Sequence, residues 1–61
     1  MEVLMRDPAR IEKVLKRLEE VWKKYPDMRL AQLLGNIFDQ LPYYMEDDEF
    51  IKVIESYYSN L

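Results

Sequence analysis

The side chains best equipped for chemistry are four consecutive carboxylates, Glu46, Asp47, Asp48 and Glu49, directly behind Tyr43, Tyr44 and Met45. Such a run can hold a cation, relay a proton, open a helix or meet a basic surface. A calcium loop needs oxygen ligands at alternating positions around a glycine turn, and neither the spacing nor the glycine is present. Acid–base work by paired carboxylates needs a cleft that gives the two groups different environments, and a chain of 61 residues seldom encloses one. The sequence contains no histidine, no cysteine and one glycine, so imidazole bases, thiol nucleophiles, the usual zinc sites and a glycine-rich phosphate loop are missing. The expectation is therefore no enzyme, no metal, no cofactor and no small-molecule substrate. Two readings of the run remain. Either it is a helix N-terminus, with one aspartate as the cap and the others favoured by the helix dipole, or it joins the tyrosines as a recognition surface formed by Tyr43, Tyr44, Glu46, Asp47 and Asp48.

The opposite charge is concentrated upstream. Residues 10–24 carry six basic side chains against three acidic ones, a net of +3, whereas residues 39–55 carry six acidic against one basic, a net of −5. At 100° per residue Arg10, Lys13, Arg17 and Lys24 fall within about 60° of one another on a helix. With a sequence pI near 4.8 the chain lacks the overall basic character of a nucleic-acid binder, so the stripe reads first as a solvated face with i,i+4 pairs Glu12–Lys16, Glu19–Lys23 and Glu20–Lys24. Capping needs fewer carboxylates than the run supplies. The surplus is expected to face something positive: the basic stripe within the chain, Arg10, Lys13 and Arg17 of a second copy across a two-fold axis, or a foreign basic surface.

These charges need elements to hold them. Asp7-Pro8 is a helix start, because the carboxylate can accept from free N–H groups and proline loses no needed donor there. Ile11, Val14, Leu15, Leu18, Val21, Trp22 and Tyr25 then share an apolar arc about 120° wide, and Pro26 ends the helix. The spacing predicts helices near residues 8–25, 28–40 and 48–59. In the second, Asp27 is the expected cap, Leu30, Leu33, Leu34, Ile37, Phe38 and Leu41 form the stripe, and Gly35 marks a close helix approach. The first two helices are expected as antiparallel neighbours across the short Pro26-Asp27 connection. The third carries Phe50, Ile51, Val53, Ile54, Tyr57 and Tyr58 over an arc about 160° wide, more than one contact requires. Ile51 and Tyr58 at its edge are expected to meet the N-terminal Val3-Leu4-Met5 or a partner. The N-terminal segment running extended beside residues 43–45 is a second arrangement. Trp22 and the tyrosines read as core rather than as a ligand box. Gln32 and Asn36, four apart on a polar face, read as an exposed side-chain pair or a contact.

The fold class expected is a compact all-α, three-helix arrangement spanning residues 1–61 as one domain. A chain of this size buries only about 60% of the surface it exposes when unfolded, so stability must come from helix packing, self-association or a partner. No run approaches the roughly 20 apolar residues of a membrane span, and the N-terminal apolar stretch is short and acidic for a signal peptide. A cytoplasmic protein is expected.

The segments RDPARI, VWKKYPDMRLAQLLGN and YYMEDDEF resemble a family of small uncharacterised proteins of bacteria and their phages. Its pattern is R-D-P-x-R-I, then W-x-K-x-P-D-x-R-L-G-Q-L-I-x-N, then F-Y-x-E-D-D-E followed by an apolar residue. The match runs from Arg6 to Phe50, and Ala31 stands where the pattern has glycine. Arg29, Gln32, Asn36, Tyr44, Glu46, Asp47 and Asp48 occupy motif positions. The resemblance carries over no activity. The sequence therefore favours a non-enzymatic protein-binding module, such as a phage-encoded modulator of a host protein. A small self-associating structural homodimer is the alternative, and a nucleic-acid-binding accessory protein comes behind both. The secondary contact candidates are Arg10, Lys13, Arg17, Arg29, Gln32 and Asn36.

Overall fold

The computed structural model describes residues 6–61, and among these the chain forms three helices and no strand: α1 (Ala9–Trp22), α2 (Leu30–Gly35) and α3 (Asp47–Ser59). The all-α, three-helix expectation holds. The contacts considered for Val3-Leu4-Met5, against the third helix or beside residues 43–45, lie outside the described residues.

Helix α1 starts as its sequence dictates. The Ala9 N–H donates to Asp7 Oδ1 at 3.0 Å while Pro8 already has helical dihedrals. The helix ends at Trp22, earlier than Pro26 alone requires. The Lys24 and Tyr25 N–H groups donate three residues back, to Val21 and Trp22 carbonyls at 3.1 and 2.8 Å, so the last turn tightens before the proline. The indole Nε1–H of Trp22 then donates to the Met28 carbonyl at 2.6 Å and closes the connection on the helix end.

The second helix is much shorter than its stripe suggests, Leu30–Gly35 in place of residues 28–40. Its start is Arg29, with no side-chain cap, so Asp27 does not cap it. It stops because Gly35-Asn36 is a poor helix continuation, and the Leu34 carbonyl accepts from both Ile37 and Phe38 N–H groups at 3.0 Å, winding up the last turn. Phe38 leaves the helix to stack on Phe50, with centroids 5.1 Å apart and planes 10° apart. Gly35 is not a point of close approach: a Cβ built there meets nothing within 4 Å.

The principal helix contact is α1 with α3, not α1 with α2. The pairs Arg10–Asp47, Arg17–Glu55 and Tyr25–Tyr58 rise together along both helices, so α1 and α3 run in the same direction and the 23–46 segment is the crossover between them. Val21, Leu33, Ile51, Ile54 and Tyr58 are buried, drawing on all three helices. Ile51 and Tyr58, expected at an uncovered edge, are 1% and 5% exposed. The wide arc of α3 is filled from within, because α1 covers one side of it and Tyr25, Met28, Leu34, Ile37 and Phe38 of the crossover pack against the same core.

The crossover's C-terminal anchor is Tyr58. Its hydroxyl donates to the Leu33 carbonyl, one of the last four carbonyls of α2 that the helix itself cannot satisfy. Asn36 Nδ2 donates to the same hydroxyl at 3.3 Å, so Asn36 does not pair with the Gln32 side chain as expected. Tyr25 Oη donates to the Tyr58 carbonyl at 3.3 Å, and the two rings lie 5.2 Å apart.

Candidate functional site

The acidic turn is built where the crossover enters α3. Met45 N–H donates to the Pro42 carbonyl at 3.0 Å, closing a turn with Tyr43 and Tyr44 at its tip. The two rings are 92% and 88% exposed. No other large apolar side chains of the described chain stand so far out of the fold.

Helix α3 begins at Asp47 with Glu46 as the N-cap residue, in extended geometry and without a side-chain cap bond, so no aspartate caps it. The Glu46 carboxylate turns instead to Arg6, whose guanidinium grips both oxygens. This hydrogen bonding, joined by the positive charge, holds Glu46 below the ordinary carboxylate range and raises Arg6. Asp47 accepts from Arg10 Nε at 2.6 Å. Asp47, Asp48 and Glu49 fill the first turn, where the helix dipole favours negative charge. Among the described residues no three carboxylates gather in a way that could hold a metal ion.

One helical stretch further on, Arg17 grips Glu55 through two bonds of 2.8 and 2.7 Å. The fork lowers the Glu55 carboxyl and raises Arg17, the hydrogen bonds contributing most. Of the four carboxylates of the run, Asp47 meets the basic stripe through Arg10 within one molecule and Glu46 meets Arg6 ahead of that stripe, while Asp48 and Glu49 form no ion pair among the described residues. Arg10 and Arg17 are engaged with α3, while Lys13 lines a depression of about 250 Å³ with Arg6, Arg10, Glu46, Asp47 and Asp48. Of the three i,i+4 pairs expected on α1, the described structure contains Glu19–Lys23 at 2.8 Å. The hydrogen-bonded pair shifts Glu19 down and Lys23 up.

Of the five residues expected to meet a partner, the adjacent Tyr43 and Tyr44 are exposed at the turn and Asp48 is exposed in the first turn of α3, whereas Glu46 and Asp47 are paired with arginines. Arg29, at the N-cap of α2, and Gln32 within the helix are both exposed. Sequence reasoning overlooked Arg6 and Glu55, although the Arg-x3-Arg-x6-Arg spacing of Arg6, Arg10 and Arg17 against Glu46, Asp47 and Glu55 is readable as a parallel ladder once α1 and α3 are known neighbours. The apolar arc of α1 is covered along one edge only. In the structure Ile11 and Leu15 are 48% and 57% exposed, and they continue into a groove of about 490 Å³ lined by Leu15, Leu18, Trp22, Pro26 and Leu30. No helix of the described residues is long and apolar enough to cross a membrane. No family model, no curated protein and no solved structure matches this chain.

Proposed function

We propose that the protein is a non-enzymatic protein-binding module whose contact surface is the Pro42–Met45 turn, with Tyr43 and Tyr44 as its anchors. The observation that carries this reading is the near-complete exposure of two adjacent tyrosines on a turn closed by its own backbone hydrogen bond. Tyrosine supplies a large rigid contact area with only two side-chain torsions to immobilise, which is why it recurs at binding hot spots. The arginine ladder supports the reading in a second way. Its pairs to Glu46 and Asp47 sit at the start of α3, directly behind the turn, and join that end of the helix to Arg6 and Arg10. Asp48 and Glu49 contribute negative potential beside the rings, which acts on partner choice and association rate more than on affinity. A basic or neutral protein surface with an apolar recess fits this combination. The sequence carries no histidine or cysteine to serve as base or nucleophile, and a cytoplasmic modulator of another protein, of the kind bacteria and phages encode, is the role in keeping with the motif resemblance.

The experiment is differential capture from a bacterial lysate, with the wild-type chain and a Tyr43→Ser, Tyr44→Ser chain as parallel baits. Proteins retained by the first and lost from the second, with both baits melting alike, support the assignment. Identical retention by both baits removes the turn from consideration.

A further inference from the structure

We infer that the exposed face of α1 is a self-association surface that takes a second copy of this chain in antiparallel orientation. The face is apolar along its length: Ile11, Leu15, Leu18 and Trp22 recur at spacings of four, three and four and cover an arc of about 60°. From Ile11 to Trp22 it is about 17 Å long. Val14 and Val21 on the neighbouring edge of α1 belong to the core, Leu18 and Trp22 are half-buried against it, and Ile11 and Leu15 stand open. Leu30, 37% exposed, extends the apolar area across the groove.

The charges beside the face identify the occupant. Glu12, Lys16, Glu19 and Lys23 form one flank, alternating in sign, again at spacings of four, three and four. Reversed, the series reads Lys23, Glu19, Lys16, Glu12, with every sign inverted. A two-fold axis perpendicular to two antiparallel helices brings the same flank of each copy together. With that axis level with Arg17 and Leu18, Glu12 of each copy stands opposite Lys23 of the other, and Lys16 opposite Glu19. The apolar series is centred one residue earlier, between Lys16 and Arg17, about 1.5 Å along the helix from the centre of the charges. At this register Ile11 and Leu15 of one copy still run toward Trp22 and Leu18 of the other. A parallel arrangement would instead set this flank against Arg10 and Arg17, which are already bound to Asp47 and Glu55. The intramolecular Glu19–Lys23 pair is solvent-exposed and is readily exchanged for its intermolecular equivalents. This surface is separate from the tyrosine turn, so a dimer would carry two such turns.

The test uses the full chain and two charge reversals, Lys16→Glu and Glu19→Lys, followed by sedimentation equilibrium from micromolar to millimolar concentration. The wild type should dimerise reversibly. Each variant alone places like charges opposite each other twice and should dimerise at least about tenfold more weakly. An equimolar mixture restores both oppositions and should form heterodimers with affinity within about threefold of the parent. Circular dichroism should be the same for all three chains. A wild type that stays monomeric throughout gives the groove to another occupant and overturns the proposal. So does a dimer indifferent to both reversals, or a pair of weakened variants whose mixture recovers nothing.

Discussion

Removing one oxygen, in Tyr58→Phe, should destabilise the fold by about 1–3 kcal/mol although the ring stays in place. The magnitude follows from the end of α2. Gln32 and Leu34 carbonyls accept from backbone N–H groups of Asn36, Ile37 and Phe38, whereas the Leu33 carbonyl has the Tyr58 hydroxyl. Leu33 is 0% exposed, so water cannot replace the lost donor without opening the core. The substitution thus leaves a buried acceptor unsatisfied, the expensive way to lose a hydrogen bond, while the apolar burial of the ring is kept. Tyr25→Phe is the internal control. Its hydroxyl donates at 3.3 Å from a half-buried position, where water can substitute, and its loss should cost about 0.5 kcal/mol or less. Paired urea and thermal melts measure both. In a domain this small each kcal/mol moves Tm by about 4–8 °C, so Tyr58→Phe should melt at least about 5 °C below the parent. Equal effects of the two substitutions, or a Tyr58→Phe chain within about 0.5 kcal/mol of wild type, would refute the reasoning that this phenol is the donor the buried Leu33 carbonyl depends on.

Gly35→Ala should stabilise by about 0.5–1 kcal/mol in urea melts, because its backbone is helical without positive φ and the added methyl meets no neighbour; destabilisation would restore the close-approach reading. Ile54→Ala, at a fully buried position, should cost about 2–5 kcal/mol. That is comparable with the whole stability of a domain this size, so loss of the cooperative melt is expected. Glu19, Glu46 and Glu55 all have carboxyl pKa values lowered by hydrogen bonds to cations, so their contribution is complete above the unfolded carboxyl pKa near 4.3 and is lost as pH falls through the lower folded values. Tm should therefore be level from pH 7 to about 5.5 and fall in more acid solution, and Glu55→Gln should make that fall shallower.

The parts of this architecture that local chemistry decides were legible in the residues. Asp7-Pro8 opens α1, the acidic turn opens α3, and the buried side of α3 follows its apolar spacing. The second helix was misjudged because apolar residues continue at helical spacing to Leu41, while the backbone obeys Gly35-Asn36 and the Phe38–Phe50 stack. Periodicity reports which side chains seek cover and is silent on whether a helix or a folded-back loop supplies it. The fate of the charges depended on which helices become neighbours. With α1 beside α3 in parallel, Arg6, Arg10 and Arg17 reach successive carboxylates, and most of what looked like surface for a partner becomes an internal ladder. The same choice of neighbour splits the 120° arc of α1, covering Val14 and Val21 and exposing Ile11 and Leu15. Only a contact 30 or more residues away in sequence distinguishes the two edges. Tyr43 and Tyr44 stand out in the sequence by their place directly before the acidic run, and their exposure follows from the turn that lifts them off the core.

The central claim is that recognition rests on these two rings and not on the carboxylates behind them. Titration calorimetry with the protein retained by the wild-type bait, run against Tyr43→Ser/Tyr44→Ser and against Asp48→Asn, separates the two contributions directly. Affinity should fall about 100-fold or more for the tyrosine pair, as when hot-spot anchors are removed, and less than about tenfold for Asp48→Asn, as for a charge at the rim, with melts matching the parent in both chains. A tyrosine pair that can be removed with no loss of affinity, or a loss that follows a fall in Tm, would contradict the claim.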